Sequence, residues 1–380
     1  MEDENEKNLF DVTRRSSVSV PILLYHDMNA NVIVMTDLGS LPSISTFFTG
    51  TIGGHFVHVD LAVQLERSSL FSLGTISSEI ELEPYFIQLG RQFGTCFALI
   101  HSPNTLNIIG SRFRNYSEFP SDTSLNDFGQ RWDELSFKAR LELFPSILTE
   151  FSVTAQQLYN QAKADSIRNI TKEERAFIHG DAHPNAMLVA PPLRKSNLPL
   201  YAAFIDWEFA KIGRGVSSDF AIASAFYAAM EIAAAHRSET MACTTSKAAL
   251  QYIRKFRYTL VSQYRTTSLQ EGALWAKGGA ISDPSDPRAF IIRSTMIVHG
   301  SEIIRRTATM RWACGHTKCM KGSELEKSKG NCELLQRMAR YGAWYLCSAR
   351  SGVLEFSRPE NWKRLQTGHR EEFWLFDLFL

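Results

Sequence analysis

Two aspartates stand directly after short apolar, β-rich runs in the middle of this 380-residue chain. Asp181 follows the run 176–178 through a His-Gly pair, and Asp206 follows the run 200–205. The residues between them can form a hairpin, so we expect both carboxylates to project from strand ends into one cleft. Phosphoryl transfer needs such a pair, because one carboxylate accepts the proton of the attacking hydroxyl and another holds Mg²⁺. Asn185 lies between them and carries an amide oxygen, which is a hard ligand of the type that Mg²⁺ prefers.

The alternative interpretation is that each aspartate only caps a turn of a β-hairpin. For either residue alone the two interpretations are evenly matched. The spacing of the pair, with apolar strands before both and His179-Gly180 before the first, favours the catalytic interpretation.

At these residues the sequence resembles the aminoglycoside phosphotransferase and choline kinase-like family, which has the protein-kinase-like fold. The family's His-Gly-Asp loop and Ile-Asp-Trp-Glu segment match residues 179–181 and 205–208. The resemblance implies ATP-dependent phosphorylation of a small-molecule hydroxyl, with ATP and Mg²⁺ as cofactors. It implies Asp181 as the catalytic base, Asp206 as the metal ligand, and Asp219 as a brace that holds the catalytic loop through backbone N–H groups.

The resemblance extends over roughly residues 18 to 310. Residues 34–39 resemble the family's strand-to-hinge segment, which implies a backbone contact with adenine at Met35, Thr36, Asp37 and Leu38. A plain strand end and turn remains the alternative for this segment. A helix N-cap remains the alternative for Asp219.

Two departures from the family pattern affect the expected activity. The family's metal-binding Asn comes five residues after the catalytic Asp, where this chain has Ala186. Asn185 stands one residue early, so it can ligate the metal only if the loop rearranges. We expect no such rearrangement, because Pro184 stiffens the preceding backbone.

The second departure concerns the small lobe, which needs a Gly-rich loop and a strand Lys on the phosphates. Before Val18 the chain has no glycine, and Lys7 is its only lysine there. We therefore expect a phosphotransferase-family protein of reduced activity, or alternatively a catalytically inactive kinase-like binding module. A truncated or alternatively spliced form of a longer protein would reconcile the two.

The elements that would position these residues predict an α+β fold, and the resemblance implies that this fold is protein-kinase-like. On that basis we expect residues 1–40 to form a partial, β-rich small lobe and hinge, with strand-like runs at 18–25 and 31–36. Residues 41–380 form a large, mainly helical lobe, with helical periodicity at 83–100, 132–162 and beyond 217. An inserted β-hairpin carries the catalytic loop 177–190 and the metal segment 204–209. Residues 102–130 are polar, rich in Ser and Asn, and are expected to form a loop or an insertion.

The composition and the apolar stretches of the chain argue against several other classes of protein. Lys plus Arg number 41 and Asp plus Glu 40, so the chain lacks the positive field of a non-specific nucleic-acid binder. The longest apolar stretch, 220–235, falls short of the ~20 residues that a membrane span requires. The acidic N-terminus has no apolar signal core behind it, and the six cysteines are scattered. We expect a cytoplasmic protein whose partner is a hydroxylated small molecule, not a nucleic acid or membrane.

Four further features have plainer interpretations. Cys314, His316, Cys319 and Cys332 could ligate zinc, although their spacing is unusual and unrelated free thiols are the favoured alternative. His299 is interpreted as a core histidine. The basic residues between 305 and 327 are interpreted as a solvated face, and the apolar C-terminus 373–380 is expected to dock on the body.

Overall fold

A computed structural model describes residues 15–27, 32–39, 41–46, 48, 82–112, 134–190, 201–240, 244–278, 285–308, 332–351 and 378–379. Over these residues the chain is α+β and mainly helical, which confirms the predicted fold class at that level. The helices are α1 (Leu82–Ile100), α2 (Pro103–Arg112), α3 (Glu134–Glu142), α4 (Pro145–Glu150), α5 (Ala155–Ile167), α6 (Ala221–Thr240), α7 (Thr244–Gln270), α8 (Pro287–Arg306) and α9 (Glu333–Ser351). The strands are β1 (Val18–Ser19), β2 (Leu23–Asp27), β3 (Val32–Met35), β4 (Arg175–Ile178), β5 (Met187–Val189), β6 (Ala202–Phe204) and β7 (Lys211–Arg214).

The N-terminal strands β2 and β3 form the predicted antiparallel hairpin, in which Leu23 lies opposite Met35. The first predicted strand is interrupted, however, because Pro21 cannot donate a backbone hydrogen bond. Its first part, β1, pairs in parallel with β6, and Val18 is buried in the main hydrophobic core. The expected division of the chain at residue 40 remains a prediction.

The middle of the chain contains two strand pairs, whereas the sequence predicted one inserted hairpin. Strand β5 pairs antiparallel with β6, as expected, and β4 pairs antiparallel with β7. The sequence analysis missed β7 because its residues, Lys-Ile-Gly-Arg, carry little β propensity. The ends of β4 and β6 lie close together, because the side chain of His179, just after β4, hydrogen-bonds the carbonyl of Ile205, just after β6.

Helix α1 supports β6 and packs closely on α7. A β-carbon on Gly90 would lie 2.6 Å from the carbonyl oxygen of Phe256, so glycine is needed where the two backbones meet. On α1, the rings of Phe93 and Phe97 pack edge-on against Phe204 at centroid distances of 6.4 and 5.4 Å. The helix thereby holds the strand that leads to Asp206.

One expectation about secondary structure was wrong. Residues 103–112 form helix α2 rather than a loop, because Ser102 accepts a hydrogen bond from the Thr105 N–H at 3.1 Å and Pro103 suits the first helical position. The helical pattern at 132–162 is confirmed from residue 134 onward as three helices, α3, α4 and α5, with Pro145 starting α4 and a Thr154 capping box starting α5.

Two of the plainer interpretations can be compared with the structure here. His299 is a fully buried core histidine, as predicted. Leu378 and Phe379 are buried, with Phe379 packed on Trp275, which confirms the docking of that part of the C-terminus. Within the described helices none is long and apolar enough to span a membrane. The possible zinc ligands Cys314, His316 and Cys319 lie outside the described residues, while Cys332 is buried.

Candidate active site

His179 links the two segments that carry the candidate aspartates. Its imidazole is fully buried and stacks on the Phe204 ring at a centroid distance of 4.2 Å. The Nε2–H donates to the carbonyl of Ile205 at 2.6 Å, and Nδ1 accepts the backbone N–H of Asp181 at 3.3 Å. One side chain thus connects the backbone of Asp181 with the residue that precedes Asp206.

The bonds of His179 define the neutral form of its ring, with the proton on Nε2. Burial lowers the pKa of His179, and it outweighs the opposing effects of Asp219 and the Ile205 carbonyl. The ring therefore serves as a neutral, fixed connector at physiological pH.

Asp219 braces the loop that leads to Asp181 by accepting two of its backbone N–H groups. It lies in a π-helical turn, Gly215–Phe220, and is fully buried. Its Oδ2 accepts the His179 N–H at 2.5 Å and its Oδ1 accepts the Gly180 N–H at 3.0 Å. The predicted brace is therefore confirmed, and the N-cap alternative is not the observed role.

His101 and Tyr264 in turn hold Asp219 in position. His101, at the end of α1, places Nε2 3.4 Å from Asp219 Oδ2, and its Nδ1 hydrogen-bonds the Tyr264 hydroxyl at 2.8 Å. Burial alone would raise the pKa of Asp219, but the hydrogen bond and charge of His101, together with His179, keep it below its usual range. The sequence analysis missed the role of His101 and Tyr264, because they are 163 residues apart and form no local pattern.

Asp206 has an uncommon backbone conformation. It is left-handed, with φ 65° and ψ 46°, and it precedes the short 3₁₀ helix Trp207–Phe209. The residue is exposed, and its side chain does not cap that helix. A non-glycine residue in this region is strained by about 1–3 kcal/mol and is often retained at a functional site. The indole N–H of Trp207 donates to the Phe204 carbonyl at 2.7 Å, which fixes the turn that presents Asp206.

Gly180 allows the two segments to approach closely. Its φ is +88°, and a β-carbon would lie 2.0 Å from the carbonyl oxygen of Phe209. The loop that leads to Asp181 and the segment after Asp206 are therefore in backbone contact, which is consistent with the expected shared cleft.

We expect Gly180→Ala to destabilise the protein by about 2–4 kcal/mol, because the added methyl group combines a disfavoured φ with a clash against backbone. Urea unfolding would measure this loss. Gly272→Ala is the matched control. Gly272 also has a positive φ, +82°, but a β-carbon there would meet no atom within 4 Å. Only the conformational cost of about 1 kcal/mol therefore applies to this variant. Equal losses for the two variants would contradict the close approach at Gly180.

The immediate neighbour of the Asp181 carboxylate is His183. The Nδ1 of His183 accepts the Ala186 N–H at 3.0 Å, which leaves its Nε2 3.7 Å from Asp181 Oδ2. The side chains are about equally exposed, 24% for His183 and 26% for Asp181, so a small molecule can reach both. Asp181 thus combines a fixed backbone with an accessible carboxylate, as a general base requires.

The candidate ligand Asn185 lies in a short 3₁₀ turn, Pro184–Ala186, and is exposed. The Ser43 hydroxyl donates to its Oδ1 at 3.4 Å. Ala186, at the position where the family has its Asn, is fully buried. Whether Asn185 contributes to a metal site remains a prediction.

The expected hinge residues follow directly from β3. Met35 and Asp37 are exposed, while Thr36 and Leu38 are half-buried. The Thr36 N–H donates to the Ile22 carbonyl at 2.9 Å, and its hydroxyl accepts the Ile22 N–H at 2.8 Å. These bonds hold the hinge against the residue that precedes β2, and the contact with adenine remains a prediction.

A magnesium ion at Asp206 would need phosphate and water ligands in addition to the protein. Among the described residues, no group of three or more His, Cys, Asp or Glu side chains could hold a metal by itself. Mg²⁺ in phosphoryl-transfer sites commonly takes one or two carboxylates and completes its shell with phosphates and water. The exposed Asp206 carboxylate fits that arrangement as a single protein anchor.

One interpretation of the basic residues was wrong. Arg306 does not lie on a solvated face: its side chain is 17% exposed and its guanidinium lies 3.4 Å above the ring of Phe226. The neighbouring Arg305 side chain is 27% exposed and pairs with Glu302. Glu302 thus pairs with both of these arginines, while the other basic residues of the pattern, from 311 to 327, lie outside the described residues.

Comparison with the models of known protein families and with curated proteins gives no match for this chain.

Proposed function

We propose that this chain is an ATP-dependent phosphotransferase of the protein-kinase-like fold that acts on a hydroxyl group of a small molecule. The observation that carries the proposal is the connection of the Asp181 and Asp206 segments through His179, with Asp219 bracing both backbone N–H groups before Asp181. A pair of hairpin caps would not need this buried framework. Catalysis by positioning does need it, because small displacements of a base are costly.

In the proposed reaction, the acceptor hydroxyl donates a hydrogen bond to the accessible carboxylate of Asp181. Its oxygen forms a bond to the γ-phosphorus of ATP as the bond to the ADP oxygen breaks, and its proton passes to Asp181. Mg²⁺ at Asp206 would neutralise charge on the phosphates. His179 keeps the Asp181 backbone in place, and its neutral ring neither donates a proton to the reaction nor changes the local charge.

The proposed nucleotide site lies along the hinge after β3. Val34 and Met35 are exposed by 42% and 54%, so apolar surface is available where the resemblance expects adenine. Residues 1–34 contain no glycine and one lysine, Lys7. Because several electrostatic contacts to the phosphates are then missing together, we expect weak ATP binding and slow transfer by this chain.

The second candidate function is a catalytically inactive kinase-like binding module. Ala186 favours it, because its buried methyl group replaces a side chain that the family uses as a metal ligand. The accessible pair Asp181 and Asp206 favours the enzyme.

The deciding experiment combines a binding assay with a transfer assay on the full chain. Magnesium-dependent binding of ATP is measured by calorimetry, and radiolabelled phosphate transfer is measured over a panel of hydroxylated small molecules. We expect slow transfer that falls at least about 10²-fold in Asp181→Ala, with ATP affinity retained. We expect Asp206→Ala to weaken the magnesium-dependent part of ATP binding.

Asp286→Ala is the control, because Asp286 caps α8 and lies outside the proposed site. ATP binding without any transfer that depends on Asp181 would favour the binding module. Absence of magnesium-dependent ATP binding at Asp206 would contradict both the enzyme and its proposed cofactors.

A further inference from the structure

His183 and Asp181 present a hydrogen-bond donor and an acceptor side by side at the candidate active site. Nε2 of His183 lies 3.7 Å from Oδ2 of Asp181, and the two side chains are 24% and 26% exposed. A hydrogen bond from nitrogen to oxygen is about 2.7–3.2 Å long, so these two atoms are too far apart to bond each other directly. The oxygen atom of a small molecule can instead lie about 2.8 Å from both of them.

The other ring nitrogen shows which atom of His183 carries the proton. The backbone N–H of Ala186 donates to Nδ1 of His183 at 3.0 Å, and it is shared with the backbone carbonyl of His183, also at 3.0 Å. Nδ1 accepts this bond only when it carries no proton, so the proton of the neutral ring is on Nε2. The atom of His183 that lies nearest to Asp181 is therefore a donor.

Two contacts keep the ring in this orientation. His183 is the N-cap of the 3₁₀ turn Pro184–Ala186, and Ala186 at the end of that turn is fully buried. The ring of Phe226 on α6 meets that of His183 at a centroid distance of 6.2 Å and an interplanar angle of 63°. The donor is thus in place before an acceptor binds, which reduces the cost of positioning a reactant.

A hydroxyl group suits this pair because its oxygen donates and accepts at the same time. It can donate its proton to Oδ2 of Asp181 and accept Nε2–H of His183 with one lone pair. The second lone pair forms the bond to the γ-phosphorus as the bond to the ADP oxygen breaks, and the hydroxyl proton passes to Asp181. The proton of His183 stays on Nε2 throughout.

An amine does not meet the same requirements. An ammonium group has no lone pair that could accept a hydrogen bond from His183. An uncharged amine has a single lone pair, so accepting that bond would occupy the electrons that must attack phosphorus. A site that hydrogen-bonds a substrate hydroxyl in this way discriminates against groups that cannot replace it.

We propose that His183 is a second acceptor-binding residue, which holds the reacting hydroxyl on Asp181 through Nε2–H and selects oxygen over nitrogen acceptors. The proposal rests on the proposed phosphotransferase function for the transfer step. The alternative is that His183 serves only as the N-cap of the turn that follows it.

Two variants separate these roles, because asparagine and glutamine each replace one ring nitrogen. In His183→Asn the side-chain oxygen can still accept the Ala186 N–H, and asparagine is a good N-cap, but the donor at Nε2 is lost. In His183→Gln the longer amide can place an N–H near the position of Nε2, while the cap is weakened. Circular dichroism confirms that each variant is folded.

The first measurement needs no turnover. Crystal structures of the full chain should show a water molecule within hydrogen-bond distance of both His183 Nε2 and Asp181 Oδ2, and His183→Asn should lack that bridge. The absence of a bridging water in the unmodified protein would overturn the proposal.

The second measurement is magnesium-dependent hydrolysis of ATP, in which water is the acceptor, so no identified substrate is needed. We expect His183→Asn to lower kcat about fivefold to tenfold with the KM for ATP unchanged, and His183→Gln to restore part of the rate. The opposite order, with His183→Gln impaired and His183→Asn unaffected, would show that His183 is only a cap.

Hydroxylamine tests the selection of oxygen, because it is uncharged at pH 8 and offers both atoms in one molecule. Phosphorus NMR distinguishes the products. We expect phosphate on oxygen only, whether of water or of hydroxylamine. A product phosphorylated on nitrogen by the unmodified protein would overturn the selection.

The outcomes also separate this inference from the proposed function. Hydrolysis that depends on Asp181 but is equal in His183→Asn would overturn the role of His183 and leave the phosphotransferase standing. A bridging water that depends on His183, without any hydrolysis or transfer, would support the hydroxyl-binding pair and remove the phosphotransferase.

Discussion

Asp219→Ala is expected to destabilise the protein by about 3–5 kcal/mol, one of the two largest effects that we predict. The substitution removes the acceptor of the His179 and Gly180 N–H groups and the partner of His101 in a single step. These donors would remain in a region that water does not reach, since Asp219 and His179 are fully buried. A buried donor without an acceptor costs about 1–3 kcal/mol, which accounts for the size of the effect.

Chemical denaturation at neutral pH would measure this loss of stability. Two further variants serve as comparisons. Asp219→Asn keeps one acceptor oxygen and should lose less stability than Asp219→Ala. Asp286→Ala removes an aspartate that caps α8 at the surface, where the expected loss is about 1 kcal/mol. If Asp219→Ala lost no more stability than Asp286→Ala, the brace would not be a main support of the catalytic loop.

The framework around Asp219 shows what the sequence can predict. Asp181 and Asp206 could be found because each follows a β-rich run. The local Ser-Ser-Asp pattern at Asp219 indicated only a helix N-cap, and its bracing role was expected from the family resemblance alone. The β5–β6 hairpin and helix α1 follow from equally local patterns of turn residues and apolar spacing. Alternation and helical periodicity decide such elements before any long-range contact is considered.

The features that could not be predicted from the sequence depend on contacts between distant parts of the chain. Strand β7 is too poor in β-branched residues to be recognised alone, and it forms because β4 supplies its hydrogen bonds. Arginine is usually found at the surface, but Arg306 is largely buried because Phe226 covers it and Glu302 pairs with it. Tyr264 supports Asp219 through its hydrogen bond with His101. No pattern within one element contains this information.

His299 gives the second large prediction, a loss of stability in mild acid. Burial lowers its pKa to about 3, with a further contribution from the charge of Arg257, whereas the unfolded chain should titrate near the ordinary value of 6.5. Its Nδ1 hydrogen-bonds the Ser224 hydroxyl at 2.7 Å, and the residue is fully buried on α8. The folded protein therefore holds a neutral imidazole that the unfolded chain protonates readily.

The direction in which stability changes with pH depends on which state binds the extra proton. Between pH 6.5 and about 3 the unfolded state binds the extra proton, so stability is full above pH 6.5 and falls as the pH falls. Each pH unit in this window costs about 1.4 kcal/mol, and the whole window about 4–5 kcal/mol. The lowered pKa of His179 acts in the same direction. The carboxylates of Asp219 and Glu174, whose pKa values are lowered, lose their contributions only in stronger acid, below their ordinary values of 3.8 and 4.5.

The measurement is the free energy of unfolding in urea between pH 7.5 and 5, a range in which the carboxylates contribute little. We expect the slope of His299→Asn to be smaller than that of the unmodified protein by about 1.4 kcal/mol per pH unit below pH 6.5. The asparagine amide can still meet Ser224, so the variant retains a polar partner there.

Ser224→Ala is the control: it removes the hydrogen bond and keeps the imidazole, so the slope should remain. Because the slope reports bound protons, a general loss of packing in His299→Asn would lower stability equally at every pH. An unchanged slope in that variant would show that the acid sensitivity has its origin elsewhere, with His179 as the next residue to replace.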